Sequence, residues 1–362
     1  MSLGNGTRPV TQAYRDAQRH KLNGLCTIGE IVPGADFVAG VTAPDWLLEG
    51  IVQRSRLYAC TSLTGHGKTA VWLFIACMIQ AGRMVGALRV TEGNVLYLAG
   101  ENPEDVKYRL LGMWQAYKFK PESLPYVLEG NFPLAPEEAE ILRAKIAALG
   151  IPFALIVGDT AASYFPGEDE NDNVAAGSYA RTLRTFTVCD GHPTVVVLTH
   201  PTKSAAVGTL LPRGGGAFLN ELDANLTLWA DGEITTLHHG KIRGPDFAPL
   251  SFRLRPVPTG LIDQWDNPFS TVVAETMSEE AAVDHRKQLT ANEDTVLKAL
   301  RDHPEWMPAQ IARDAGWLDS SDQPQRWKVH DLLNRLARDK MIHKQRNGKP
   351  WELTEKGLKL TA

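Results

Sequence analysis

Ser62-Leu63-Thr64-Gly65-His66-Gly67-Lys68-Thr69 sits between a short apolar run, Leu57 to Thr61, and a longer one, Ala70 to Ile79. The spacing nearly matches the phosphate-binding loop G-x-x-x-x-G-K-[ST], with Ser62 where the first glycine is usual, and the flanks read as strand before and helix after. In that setting backbone N–H groups of Gly65, His66, Gly67 and the first helical residues, Lys68, Thr69 and Ala70, converge on phosphate oxygens. Lys68 adds a point charge and the Thr69 hydroxyl can ligate Mg²⁺. The alternative, a chance glycine turn before a helix, does not account for Gly-Lys-Thr falling on this junction.

Outward from the loop, Asn94 to Ala99, Phe153 to Val157 and Thr194 to Thr199 join Leu57 to Thr61 as short runs rich in Val, Ile and Leu, the signature of buried parallel strands. Helix-like stretches at Lys68 to Ala81, Pro103 to Tyr117, Pro136 to Leu149 and Asn173 to Thr187 alternate with them, predicting an α/β fold with a mainly parallel sheet. Asn225 to Trp229, Thr235 to His239 and Leu250 to Leu254, with Asp231-Gly232 as a hairpin signal, predict an antiparallel edge.

Polar residues stand at three strand ends: Glu101, Asp159 and His200. Ligands of open α/β sheets bind at the carboxyl ends of the strands, so these side chains are expected in one crevice with Lys68. Asp159, after four apolar residues and Gly158, reads as the Walker-B carboxylate holding Mg²⁺ through water, or as a turn residue. Glu101 reads as a base for an attacking water, or as an exposed turn residue before Pro103. His200 reads as a γ-phosphate sensor, or as a cap on its strand.

Length and charge set the organisation. The chain has 362 residues, 43% hydrophobic and 22% charged, with a net charge of −4, which fits two globular domains and excludes a disordered or histone-like chain. From His285 onward 15 Lys and Arg face 11 Asp and Glu, whereas residues 1–284 carry 23 against 31, so the C-terminal part is a separate basic unit. The expected division is an N-terminal extension over 1–40, an ATPase-type core over 41–260, a linker over 261–284 and a small domain over 285–362. Cys26, Cys60, Cys77 and Cys189 form no C-x-x-C pair, which speaks for a reducing, cytoplasmic setting. No apolar run reaches the roughly 20 residues a bilayer requires, so no membrane segment is expected.

Helical stretches at Thr295 to Leu300, Pro308 to Ala315 and Gln325 to Lys340, then two strands around Asn347-Gly348, read as a winged helix-turn-helix. Trp327, Leu332, Leu333, Leu336 and Ile342 supply its core face. Arg326, Lys328, Arg335, Lys344 and Arg346 are left for DNA phosphates, unless the unit docks a protein instead. In the core, Lys203, Arg213 and Gly214 to Gly216 form a second candidate phosphate-binding loop, while Glu168, Asp169, Glu170 and Asp172 would repel DNA.

The order of phosphate loop, Glu, Walker-B Asp and strand-terminal His resembles the RecA-like ATPases. Gly-His-Gly-Lys-Thr, Leu-Tyr-Leu-Ala-Gly-Glu-Asn-Pro and Leu-Pro-Arg-Gly-Gly-Gly are similar to the branch of the plasmid-replication hexameric helicase RepA, common in phages and mobile elements, over about residues 40 to 260. That resemblance implies ATP with Mg²⁺ bound at the subunit interfaces of a homo-oligomer, a hexameric ring being one form. It implies a basic finger from the neighbouring subunit, for which Lys241 and Arg243 are the candidates. The expected function is DNA-associated ATP hydrolysis of a helicase-like or replication type. A nucleotide-gated DNA-binding regulator with weak hydrolysis is the alternative, and a P-loop kinase a more distant one because no Arg-rich lid is visible.

Overall fold

The computed structural model describes residues 31–202, 210–244, 246–344 and 350–361. They divide into two compact units, residues 31–277 and 278–361.

The first unit opens with an exposed turn of helix, α1 (Gly34–Val38), and a small hairpin, β1 (Trp46–Leu48) and β2 (Val52–Gln53). The sheet and its helices follow: β3 (Leu57–Thr61), α2 (Lys68–Gln80), β4 (Asn94–Ala99), α3 (Pro103–Tyr117), β5 (Tyr126–Glu129), α4 (Pro136–Ala148), β6 (Phe153–Asp159), α5 (Ala161–Tyr164), α6 (Asn173–Arg184) and β7 (Thr194–Thr199). The unit ends with α7 (Gly215–Glu221), β8 (Ala224–Asp231), β9 (Ile234–Ile242), β10 (Leu250–Ile262) and β11 (Pro268–Thr276).

Nine strands form one sheet in the order β11-β10-β9-β8-β3-β7-β6-β4-β5. From β8 to β5 every neighbour is parallel, and β8 to β11 pair antiparallel. This is the mixed α/β sheet of a RecA-like P-loop core. The loop strand β3 and the Asp159 strand β6 are not adjacent, because β7 lies between them.

Alternation along the strands builds two apolar layers. Tyr58, Cys60, Tyr97, Leu155 and Val157 face the side covered by α2 and α3. Leu57, Ala59, Leu96, Phe153 and Ile156 face the side covered by α4 and α6. Eleven of the thirteen residues of α2 are buried, which explains why Ala70 to Ile79 is apolar on every face rather than amphipathic. The sheet covers one side of α2, and the β10–β11 hairpin contributes Phe252, Val257, Val273 and Ala274 to the same apolar layer, with Phe252 edge-on to Phe74 at 6.0 Å between ring centroids.

That hairpin corrects the expected linker. Residues 261–284 contain the end of β10, all of β11 and the start of a helix, so the first unit extends to Met277 rather than to 260. Pro256 and Pro258 hide β10 from a sequence reading, since proline disfavours an interior strand. The pairing with β9 covers only Leu250 to Arg253, so beyond that point β10 has an unpaired edge toward which two prolines, two residues apart, can turn their missing N–H. The Asp263 carboxylate makes the turn by accepting from the amides of Trp265 and Asn267.

The second unit contains α8 (Glu279–Asp302), α9 (Pro308–Asp314), α10 (Arg326–Arg338), β12 (Ile342–Lys344), β13 (Trp351–Leu353) and α11 (Glu355–Thr361). Its core gathers Val296, Leu297, Ile311, Val329, Leu332, Leu333, Leu336 and Ile342. The expected helix at Thr295 to Leu300 is only the packed end of the 24-residue α8. The Ser278 hydroxyl caps that helix by accepting from the Ala281 amide, and its polar first half carries no apolar stripe from which to read it. Among the described residues no helix is long and apolar enough to cross a membrane.

Gly112 of α3 sets how closely the hairpin approaches. A Cβ there would meet Thr271 Cγ2 at 2.5 Å and Val257 Cγ2 at 2.8 Å, both on short branched side chains that cannot swing away. Gly112→Val is expected to destabilise the protein by roughly 1–3 kcal/mol despite a better helix former, a loss that urea denaturation will measure.

Candidate active site

The loop joining β3 to α2 is shaped by Gly65 and Gly67, both left-handed at φ 82° and 83°. At Gly67 a Cβ would also run into Leu254 Cδ1 at 2.7 Å, so position 67 is doubly restricted to glycine. The end of β3 is tied beneath the loop to both neighbouring strands: the Thr61 hydroxyl meets the Thr199 hydroxyl at the end of β7 at 2.8 Å and donates to Asn225 Oδ1 near the start of β8 at 2.6 Å. Ser62, fully buried, adds a bond from its amide to the Thr199 carbonyl, which suits a side chain in place of the usual glycine.

Lys68 Nζ donates to the carbonyl of Ser62 at 2.8 Å and to that of Leu63 at 3.4 Å. Burial lowers its pKa, an imbalance that an arriving phosphate would offset. Asp159, 3% exposed at the end of β6, accepts from the Thr69 hydroxyl at 2.8 Å and from the Tyr97 hydroxyl at 2.7 Å, both on Oδ2. Its Oδ1 is buried without a hydrogen-bond partner among the described residues. Burial pushes the carboxyl pKa up, while the two hydroxyl donors pull it down. A buried carboxylate with one oxygen satisfied and one unspent fits a hydrated divalent cation.

Glu101 follows β4, and its amide and that of Gly100 donate to the Asp159 carbonyl. The Glu101 carboxylate is half exposed and lies 3.8 Å from His200 Nε2. Burial and the nearby Lys68 charge lower the His200 pKa, which favours the neutral imidazole. Gly65, Gly67, Lys68, Thr69, Ala70, Glu101, Asp159 and His200 thus share one cleft of about 690 Å³. Sequence reasoning did not single out Tyr97, Asn102, Arg109, Leu254 or Val272. The last four also line the cleft, and Leu254 and Val272 arrive from the β10–β11 hairpin.

His66 does not line that cleft. Its Nδ1 accepts from the Ala230 amide at 3.0 Å, its ring stands edge-on to Trp229 at 5.0 Å, and its carbonyl accepts from the Thr235 hydroxyl at 3.1 Å. The side chain therefore anchors the loop to β8, the carbonyl ties it to β9, and the backbone amide closes the loop's own turn by donating to the Leu63 carbonyl at 3.3 Å.

Lys241 and Arg243 lie away from this cleft. Ile242 pairs with Ala224, which pairs with Tyr58 at the start of β3, so both cations stand at the opposite end of the parallel strands from the loop. Lys241 Nζ donates to the Leu219 carbonyl and Arg243 to that of Asn220, each at 2.8 Å. Burial and the neighbouring Arg243 charge lower the Lys241 pKa.

The candidate nucleic-acid residues separate. Lys203 and Arg346 lie outside the described residues. Arg213 pairs with Glu170 at 3.2 Å, and the triple glycine is not a loop, since Gly215 and Gly216 open α7. Arg326 and Lys344 are exposed, and Lys344 Nζ lies 5.6 Å from the centroid of the Trp351 ring. Lys328 lies over the Trp317 ring at 4.3 Å. Two expectations are corrected. Arg335 is 8% exposed and donates to Glu293 at 2.8 Å, because position 335 flanks the Val329, Leu332, Leu336 stripe of α10 and faces α8 instead of solvent. Trp327, assigned to the core, is 67% exposed, since it falls on the side of α10 opposite that stripe.

Residues 30–206 match the family model described as AAA domain. No curated protein matches the chain. The matched stretch runs from before β1 to just beyond His200 and contains the whole phosphate loop, Glu101 and Asp159. This stretch is similar to an AAA domain, which supports a P-loop ATPase domain in this part of the chain.

Two outcomes test the geometry. His66→Ala should speed hydrogen exchange at the Ala230 amide, whereas His66→Asn, whose Oδ1 can stand where Nδ1 stands, should keep that amide protected. Arg335→Ala should destabilise the C-terminal unit by roughly 2–3 kcal/mol in chemical denaturation, because it strands Glu293 in a largely buried position.

Proposed function

We propose that this chain hydrolyses ATP with Glu101 as the water-activating base, and that it does so as a DNA-associated, helicase-like or replication-type motor of a phage or mobile element. The observation that carries the chemistry is the convergence of Lys68, Thr69, Asp159, Glu101 and His200 on one cleft from four separate segments. Thr69 and Asp159 would hold Mg²⁺, which would supply positive charge to the phosphate oxygens. Lys68 and the loop amides orient the triphosphate. Glu101, half exposed beside the cleft, takes the proton of a water as that water attacks the terminal phosphorus, and ADP leaves with the electrons of the broken P–O bond. His200, held neutral, can bond the terminal phosphate or the water while touching the same Glu101.

Assembly and DNA rest on further support. Lys241 and Arg243 stand at the far end of the sheet from their own loop, which suits a cation offered to a neighbouring subunit in a homo-oligomer. The C-terminal unit, three helices followed by a hairpin, has the element order of a winged helix, and Arg326 and Lys344 remain exposed for phosphates. The resemblance to the RepA branch adds the replication context.

Glu101→Gln removes the proton acceptor without removing a phosphate contact. ATP binding by calorimetry should persist while phosphate release falls by roughly 100-fold or more, and equal loss of both would make Glu101 structural. In the full chain, Arg326→Ala should weaken duplex DNA binding and reduce the log–log salt slope by roughly 0.9, with DNA-free turnover unchanged. Full-length protein that binds no DNA at low salt would leave an ATPase with another client.

A further inference from the structure

We propose that Tyr97 is a positioning residue for the magnesium-bearing face of Asp159: its buried hydroxyl occupies one carboxylate oxygen and so reserves the other for the cation and its waters. The inference rests on the reading of Asp159 given above and extends it to a residue on another strand.

Tyr97 is fully buried in the middle of β4. In the parallel ladder it lies opposite Val157, two residues before the Ala99–Asp159 pair, and both side chains belong to the layer beneath α2. From there the phenol reaches along β6 to Asp159 Oδ2 at 2.7 Å. The ring belongs to the apolar layer beneath α2, and a phenylalanine would fill the same space without the cost of burying a hydroxyl, so the Asp159 carboxylate is what the oxygen serves.

The arrangement distinguishes two otherwise equivalent oxygens. Thr69 alone, 2.8 Å from Oδ2, would leave the carboxylate free to rotate and accept through either atom. With a second donor fixed in the sheet, Oδ2 is saturated and Oδ1 is left without a partner. The Thr69 proton then stays directed at Oδ2, which keeps the Thr69 lone pairs available for the metal. Groups that orient a metal's ligands in this manner typically change metal affinity by roughly 10–100-fold when removed.

The test uses the full chain and ATP as the probe, with affinity measured by calorimetry in excess Mg²⁺ and again in EDTA. Tyr97→Phe is expected to bind ATP about tenfold more weakly with Mg²⁺ and unchanged in EDTA. A purely packing role would weaken both measurements equally, and that result, or no change in either, overturns the proposal. Wild-type protein that binds ATP equally with Mg²⁺ and EDTA would instead remove the Asp159 reading on which the proposal stands. The melting temperature without nucleotide reports whether the variant is folded. Should it not fold, wild-type protein carrying ¹³Cζ-tyrosine gives the second readout: adding Mg²⁺ to the ATP complex should shift a buried tyrosine resonance, and no shifted resonance overturns the proposal.

Discussion

The Asp159 carboxylate is the constraint around which the ATPase unit is arranged. Burying an ionised carboxylate is costly unless donors meet it, and here the donors come from the phosphate loop's own helix and from a neighbouring strand. The strand order places the chemistry in sequence across the sheet. The loop follows β3, His200 follows β7, Asp159 ends β6 and Glu101 follows β4. With roughly 4.8 Å between neighbouring strands, the intervening β7 separates loop and carboxylate by about 10 Å, a span the first turn of α2 closes from above. Because β7 lies between them, His200 lines the cleft between the loop and Asp159.

The second organising feature is the enclosure of α2. A helix on the surface of a sheet would ordinarily show a polar outer face. Here the β10–β11 hairpin packs on it, so the helix is apolar throughout and the loop is held on two sides. Leu254 touches the space above Gly67, Thr235 bonds the His66 carbonyl, and Ala230 bonds the His66 ring. The antiparallel extension thus braces the phosphate loop, in addition to terminating the sheet. The AAA match ends at residue 206, so this bracing lies in a part of the chain the family model does not cover.

In the C-terminal unit, positive charge and function separate once the helices pack. Arg335 is consumed by Glu293 within the unit, and Lys328 leans on Trp317. Arg326 and Lys344 keep their charge at the surface, so the footprint available to a polyanion is smaller than a count of basic residues suggests.

The strands β3, β4 and β7 and the helix α3 were legible to the residue, because the apolar runs and the helix-like stretch from Pro103 to Tyr117 are local properties of the chain. The phosphate loop, Asp159, Glu101 and His200 were legible for the same reason, each being a polar residue at the end of an apolar run. Other features depended on partners distant in sequence. The β10–β11 hairpin carries two prolines whose tolerance depends on where the β9 pairing stops. The full length of α8 rests on a capping serine and a solvated face without apolar periodicity. Whether Arg335 meets solvent, whether His66 faces the nucleotide, and which oxygen of Asp159 is free are decided by packing between elements. Local sequence set the order of elements and the identity of the candidate site residues; tertiary contacts alone decided where each group points, because orientation is fixed by neighbours that the chain brings together only on folding.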